Sequence, residues 1–316
     1  MARISFRPGP GYRVVEFNRQ NLPAEKQPKK DLPPGDDQGQ KNIREIMKEL
    51  DQLVGLQGVK KLVGEIHAFV EIQRRRQKEK LATEPQVLHM IFKGNPGTGK
   101  TTVARIIGRL FKEMGVLPKG HLVEVERADL VGEYIGHTAQ KTREQIKKAL
   151  GGIMFIDEAY SLARGGEKDF GREAIDALVK GMEDHKDNLI LILAGYRHEM
   201  EWFVETNPGL RSRFPIHITF PDYTTGELLA IADLMLQKRQ YRLSAGARDE
   251  LRLILEETRL NHIHSGNARL VRNLIEQAIR QQAVRLVRRG HVSREELMTI
   301  TREDMLQARQ SNPSNR

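Results

Sequence analysis

Residues 94–101 read GNPGTGKT, and no other part of the chain constrains its fold as strongly. Backbone N–H groups of a turn can close around phosphate oxygens only where no Cβ stands in the way, which accounts for Gly94, Gly97 and Gly99. Asn95, Pro96 and Thr98 complete the turn. Lys100 supplies a point charge for the outer phosphates, and Thr101, with Thr102 beside it, offers a hydroxyl to a Mg²⁺ ion. The frame matters as much as the spacing. A strand-like run, residues 89–92, precedes the octet, and Val103, Ile106, Ile107, Leu110, Phe111 and Met114 follow it at steps of three and four. The turn therefore opens a helix whose positive dipole end faces the anion, and Gly115 and Pro118 stop that helix. A tight turn serving only the fold has no need of this frame, so the octet implies binding of a nucleoside triphosphate.

A phosphate loop alone does not separate hydrolysis from transfer to another substrate. The partner motif is GIMFIDE, residues 152–158. Its four apolar residues predict a strand buried on both faces, and its charges begin at the carboxyl edge, where ligands sit in parallel sheets. Asp157 is placed to hold a Mg²⁺ shell, and Glu158 to orient or deprotonate a water. Two adjacent acids with different tasks favour attack by water over attack by a substrate hydroxyl.

Further strand-like runs at 122–125, 189–193 and 216–220 alternate with helical patterns, which predicts an α/β fold with a parallel sheet covered on both faces. After Pro221 the strands stop, and residues 225–236, 245–257, 269–287 and 294–298 have helical period. Thr224 with Glu227 and Ser293 with Glu296 have capping-box spacing. The expected division is a flexible extension over 1–40, a nucleotide-binding subdomain over 41–222, a helical lid over 223–308 and a disordered tail over 309–316. Six of the thirteen prolines fall in the first forty residues, where 13–17 has the character of one short strand; from Ile43 the apolar spacing turns helical.

The chain has no cysteine, so no disulfide framework is possible, and no apolar run approaches the length of a membrane span. Arg3, Arg7 and Arg13 have no apolar stretch behind them, so the expectation is neither a secretory signal nor a membrane anchor, and a cytoplasmic protein. The net charge of +10 raises the question of nucleic acid. The densest clusters, Arg74 to Arg76 and Arg285 with Arg288 and Arg289, lie on helix-like segments without interleaved aromatics, which favours solvated or subunit-facing helix surfaces.

Over about residues 49–306 the chain resembles the AAA+ ATPases of the CbbX/CfxQ group. The resemblance is carried by LVGLQGVKK (53–61), FKGNPGTGKTTVARIIG (92–108), ADLVGEYIGHTAQKT (128–142), GGIMFIDEAYSLARGGEKDFG (151–171), LILAGYRHEM (191–200), NPGLRSRFP (207–215) and GNARLVRN (266–273). It implies a P-loop fold with five parallel strands in the order 5-1-4-3-2 and a C-terminal helical lid, and hydrolysis of ATP with Mg²⁺. It also implies roles for single residues. Val54 and Gly55 lie against the adenine, Arg213 is the arginine finger given to a neighbour with Arg211 assisting, and Arg269 is sensor 2, with Arg272 as the alternative. At the sensor 1 position this chain has Tyr196, which either contacts phosphate or packs. Tyr134, Ile135 and Gly136 resemble the pore loop of protein-translocating rings; residues 164–169, glycine-rich and charged, fit a second axial loop and a plain surface loop equally. A finger supplied by a neighbour means a head-to-tail contact, hence a homo-hexameric ring. The implied function is remodelling or threading of a protein partner in bacterial spore formation. Activation of red-type Rubisco is the alternative within the group; a DNA-associated motor and a nucleotide-dependent scaffold are the alternatives outside it.

Overall fold

The computed structural model describes residues 37–83, 87–134, 136–165, 169–261, 266–289 and 291–311. The strand expected at 13–17 lies outside the described residues, as does Ile135 of the expected pore loop.

Helix α1 (Asp37–Gln52) begins ahead of the apolar spacing that announces it, inside the stretch expected to be flexible. The apolar stripe of α1 is anchored by Ile46 and Leu50, both buried. The polar first turn simply continues a helix that is already paid for by that burial, and polar residues carry no periodic signal of their own. Helix α2 (Gln57–Lys78) follows, with Val59, Val63, Ile66 and Val70 on its buried side.

The nucleotide-binding part then alternates. Strand β1 (Met90–Lys93) leads to α3 (Lys100–Glu113), and β2 (Leu122–Val125) to the short α4 (Arg127–Leu130) and to α5 (His137–Ala149). Strand β3 (Ile153–Ile156) runs into a 3₁₀ turn (Ala159–Ala163) and α6 (Gly171–Asp184). Strand β4 (Ile190–Gly195) precedes α7 (Arg197–Glu205) and α8 (Pro208–Arg211), and β5 (Ile216–Thr219) closes the series. Among the described residues these five strands form one parallel sheet in the order β2-β3-β4-β1-β5, the expected order.

Side chains alternate across that sheet. Met90, Phe92, Ile153, Phe155, Ile190 and Ile192 belong to one core with residues of α1, α2 and α3; Ile91, Met154, Ile156, Leu191 and Leu193 belong to a second core with residues of α5, α6 and α7. Strands with both faces covered read as unbroken apolar runs, which is how the sequence shows them. Beneath the sheet, His89 is buried and its Nδ1 accepts the Leu191 N–H at 3.0 Å.

The lid comprises α9 (Thr225–Lys238), β6 (Arg242–Leu243), α10 (Ala245–Asn261), α11 (Asn267–Val287), α12 (Arg294–Met298), β7 (Thr299–Ile300) and α13 (Arg302–Gln310). Its buried Leu228, Leu251, Val271, Leu274 and Met305 join the first core, so lid and sheet share apolar packing. The two expected capping boxes are present at Thr224 with Glu227 and Ser293 with Glu296; a third, Thr301 with Asp304, starts α13. Each such cap is worth about 1 kcal/mol. Two features correct the sequence reading. Strands do not stop at Pro221, because β6 and β7 form a two-residue parallel ladder, too short to leave an alternating pattern. The last helix also runs to Gln310, into the stretch read as tail; the buried Arg285–Asp304 pair, at 2.8 Å, fixes its first turn to α11. No helix among the described residues is long and apolar enough to cross a membrane.

Candidate nucleotide site

Strand β1 delivers the chain to the phosphate loop with both neighbours holding it. The Gly94 N–H donates to the Gly195 carbonyl at 3.0 Å, and the Phe220 N–H donates to the Lys93 carbonyl at 2.7 Å. Gly97 and Gly99 have φ of 75° and 97°, the left-handed region that side chains disfavour. A Cβ at Gly97 would lie 2.4 Å from the Gly266 carbonyl oxygen of the lid. That glycine is therefore required twice over, for the approach of phosphate and for the approach of the lid. Thr98 is buried and its hydroxyl donates to the Asn95 carbonyl at 2.7 Å, so it braces the loop from within.

Lys100 folds back over the loop, its Nζ donating to the carbonyls of Gly94 at 2.7 Å and Asn95 at 2.9 Å. Burial pulls its pKa below the usual lysine value, Asp157 opposes that shift, and Arg269 adds to it. A triphosphate entering here gives the ammonium stronger acceptors than two carbonyls.

The phosphate loop opens on a cleft of about 240 Å³ lined by Lys100, Thr101, Thr102, Asp157, Glu158, Tyr196, Arg269 and Arg272. The cleft thus brings residues from α3, the end of β3, the end of β4 and the first turn of the lid helix α11 to one place. Both lid arginines offered by the sequence reach it. Asp157 accepts the Glu158 N–H at 3.0 Å through Oδ1, which turns the chain sharply after β3. Glu158 itself has φ 48° and ψ 42°. A left-handed glutamate costs on the order of 1–2 kcal/mol, and the fold keeps this one exposed at the mouth of the cleft. Tyr196 lines the same cleft, with its ring centroid 6.1 Å from that of the buried Tyr160.

Sequence reasoning passed over a polar clasp between loop and lid. Asn267, fully buried at φ 46°, donates from Nδ2 to Asp222 at 2.8 Å and to the Pro96 carbonyl at 3.3 Å, and its Oδ1 accepts the Tyr223 N–H at 3.0 Å. Asp222 in turn accepts from Asn95 Nδ2 at 2.9 Å, and the Tyr223 hydroxyl donates to the Thr98 carbonyl at 3.1 Å. Burial raises the Tyr223 pKa to about 12, so this hydroxyl stays protonated. The signal was the GNAR string itself, since an asparagine is one of the few residues that tolerates a left-handed conformation, here at the first position of α11.

Val54 and Gly55 do not line the cleft of the phosphates. Gly55, at φ 62°, packs where a Cβ would meet the Glu227 carboxylate at 2.2 Å and the Tyr223 ring at 3.5 Å, and the next residue, Leu56, reaches to Gly99. This turn therefore lies between the phosphate loop and the start of the lid.

Arg213 is absent from the cleft lining. Its Nε donates to Glu183 Oε1 at 3.1 Å, its Nη2 donates to the same oxygen, and its Nη1 donates to the Gly209 carbonyl at 2.8 Å. Arg211 is exposed beside it. Tyr134 is 66% exposed and is not an anchor for its loop; its ring meets His137 edge-on at 5.5 Å, and Gly136, at φ 82°, caps α5.

Comparison with known proteins matches this geometry. Residues 90–222 match the ATPase family associated with various cellular activities (AAA), and residues 224–315 match the AAA lid domain. The chain is 57% identical over 265 residues to stage V sporulation protein K of Bacillus subtilis, covering 83% of this chain and 82% of the relative. It is 47% identical over 270 residues to protein CbbX of Cereibacter sphaeroides, covering 84% and 87%, and 45% identical over 274 residues to the chloroplastic ribulose bisphosphate carboxylase/oxygenase activase of Cyanidioschyzon merolae, covering 85% and 93%. Among solved structures, the RuvB Holliday junction branch migration motor of Thermotoga maritima superposes with a TM-score of 0.54 at 19% identity, covering 83% of this chain and 70% of that one, a likeness of fold alone. The chain belongs to the AAA ATPase family, with the stage V sporulation protein K and CbbX/CfxQ relatives, and is an ATPase carrying the lid domain of that family.

Proposed function

We propose that this ATPase is a homo-hexameric ring motor that grips a polypeptide with Tyr134 and moves it as ATP is hydrolysed. The observation that carries the reading is the division of the groups: Lys100, Thr101, Asp157, Glu158, Tyr196 and Arg269 converge on one cleft, whereas Arg213 and Tyr134 lie outside its lining. In this reading Lys100 and the loop N–H groups bind the outer phosphates, and Val54 and Gly55 read the base. Glu158 takes a proton from the attacking water, and Arg269 senses the terminal phosphate. The donor set suits Mg²⁺, which favours one or two protein oxygens and keeps waters and phosphates as its other ligands. Thr101 and Asp157 would hold the ion, and its chemistry is to offset phosphate charge. Arg213, delivered from the adjacent subunit, neutralises charge that builds on the transferred phosphoryl group.

An exposed tyrosine suits an extended polypeptide, because an aromatic ring with a polar tip makes contact area without demanding a sequence. Spore formation is the favoured setting, since identity to the sporulation relative, 57%, exceeds that to CbbX, 47%. The Rubisco-directed reading keeps its own test, stimulation of the ATPase by red-type Rubisco with its sugar bisphosphate. The decisive experiment places a photocrosslinking residue at 134 in Glu158→Gln protein in the native cell. Crosslinks to a polypeptide are expected; crosslinks to nucleic acid, or only to the protein itself, would overturn the threading reading.

A further inference from the structure

We propose that Arg127 is a positioning residue that carries the state of the nucleotide cleft to the Tyr134 loop. This inference rests on the motor reading above and adds the route by which cleft and loop communicate.

Arg127 is the first residue of α4, the short helix that leads from β2 into the segment bearing Tyr134. Its guanidinium joins two other segments of the chain. Nη1 donates to the Ser161 carbonyl at 2.6 Å, three residues beyond Glu158 in the 3₁₀ turn, and Nη2 donates to Asp169 Oδ1 at 2.5 Å. The same oxygen accepts the N–H of Gly171, the first residue of α6, at 3.1 Å. A Cβ at Gly171 would lie 2.0 Å from the Leu162 carbonyl oxygen and 3.0 Å from Arg127 Nη1, so the junction closes only around a glycine. Asp169 is 12% exposed. Burial works against its charge, but hydrogen bonds from Arg127 and Gly171 outweigh it and hold the carboxyl below the usual range, so the contact is an ion pair at neutral pH.

The other end of the 3₁₀ turn sits against the cleft. Tyr160, buried between Glu158 and Ser161 in the chain, faces the Tyr196 ring on one side, and the Arg164 guanidinium carbon lies 4.4 Å from its ring centroid. Gly195 makes room for it, since a Cβ there would come within 2.7 Å of the ring. Glu158 and Tyr196 both line the cleft. A displacement of either when phosphate enters or leaves bears on Tyr160, hence on the Ser161 carbonyl, and Arg127 passes it to the base of the Tyr134 segment. The planar fork of arginine suits this task because it fixes direction to two acceptors at once, which an ammonium does not.

The test uses the full chain. Because the protein has no cysteine, Glu133→Cys provides a single attachment point for an environment-sensitive dye beside Tyr134. With Arg127 and Asp169 intact, the dye signal should differ between the ADP and ATPγS states. Arg127→Lys and Asp169→Asn should each hydrolyse ATP within about twofold of the unmodified rate, yet shrink that difference at least about fivefold. The exchanged pair, Arg127→Asp with Asp169→Arg, should restore part of it. Full dye response in both folded single variants would overturn the proposal and leave Arg127 as a staple of the fold. Loss of ATPase in step with loss of the melting transition in Arg127→Lys would do the same. A dye that does not respond to nucleotide even with Arg127 and Asp169 intact would instead count against the motor reading from which this inference starts.

Discussion

Arg213 is held on Glu183, thirty residues away in the chain, with Nε and Nη2 on one carboxylate oxygen and Nη1 on the Gly209 carbonyl. The ion pair is half-exposed, so its contribution to stability is about 0–1 kcal/mol, and breaking it leaves the fold intact. An arginine held so lightly outside its own cleft can be given to a neighbour. Arg213→Ala should therefore lower ATP turnover by about 10³-fold or more with little change in melting temperature. Mixing Arg213→Ala subunits with Glu158→Gln subunits should restore activity, because a mixed contact pairs an intact cleft with an intact finger. Phosphate release measured against mixing ratio gives the answer: undiminished turnover in the single variant removes Arg213 from the reaction, and no recovery in the mixtures removes the shared site.

Glu158 combines a strained backbone with an exposed carboxylate at the cleft mouth. Glu158→Gln should keep ATP binding and lose hydrolysis by about 10²–10⁴-fold, the worth of a general base. Glu158→Gly should lose hydrolysis equally while relieving the left-handed strain, so its melting temperature should rise by roughly 2 °C. Calorimetry beside a phosphate-release assay separates the two effects. A glycine variant that is both inactive and less stable would show that the carboxylate, not the backbone, holds this turn.

Much of this site was legible because its demands are local. A cradle of N–H groups needs glycines at fixed spacing, so Gly97 and Gly99 announce themselves; strands covered on both faces must be apolar throughout, so Ile153 to Ile156 read correctly. The contacts that were not legible join residues far apart in sequence. Asn267 bonds to Pro96, Arg213 to Glu183 and Arg127 to Asp169, and although several of these residues sit in recognisable motifs, nothing in either motif names its partner. Hydrogen-bond partners of this kind are set by topology, which is fixed by the apolar pattern and not by the polar residues that exploit it. The β6–β7 ladder escaped for another reason. Two residues cannot display alternation.

The Asn267 clasp predicts a variant that is damaged in binding more than in chemistry. Asn267→Ala leaves the buried Tyr223 N–H without its acceptor and removes one donor each from the part-buried Pro96 carbonyl and from Asp222, which is exposed and keeps Asn95, at a cost of about 1–3 kcal/mol. Because the clasp joins the phosphate loop to the lid, the loss should appear as weaker nucleotide affinity, about tenfold, as well as a lower melting temperature. Asn267→Asp, which keeps the acceptor for Tyr223 but sets a second carboxylate against Asp222, should be worse than alanine. Fluorescent-nucleotide titration of the two variants tests the order, and an unchanged affinity in both would reduce the clasp to a structural role.

His89 predicts how the fold responds to acid. Its Nδ1 accepts the Leu191 N–H at 3.0 Å, and burial beneath the sheet lowers its pKa to about 4. In the unfolded chain it titrates near the ordinary value of about 6.5. Between these values the unfolded state binds the extra proton, so stability is complete above about pH 6.5 and falls as the pH drops toward 4. The loss amounts to on the order of 3 kcal/mol over that window. His89→Gln keeps a neutral acceptor for Leu191 and removes the titration. Its melting temperature should be lower than that of the unmodified protein at pH 8, through poorer packing against Phe214, whose ring centroid lies 5.7 Å from that of His89. From pH 6.5 to 4 its curve should be the flatter of the two, so that the gap between the proteins narrows with acid. A gap that stays constant across that range would show that His89 gains no proton on unfolding.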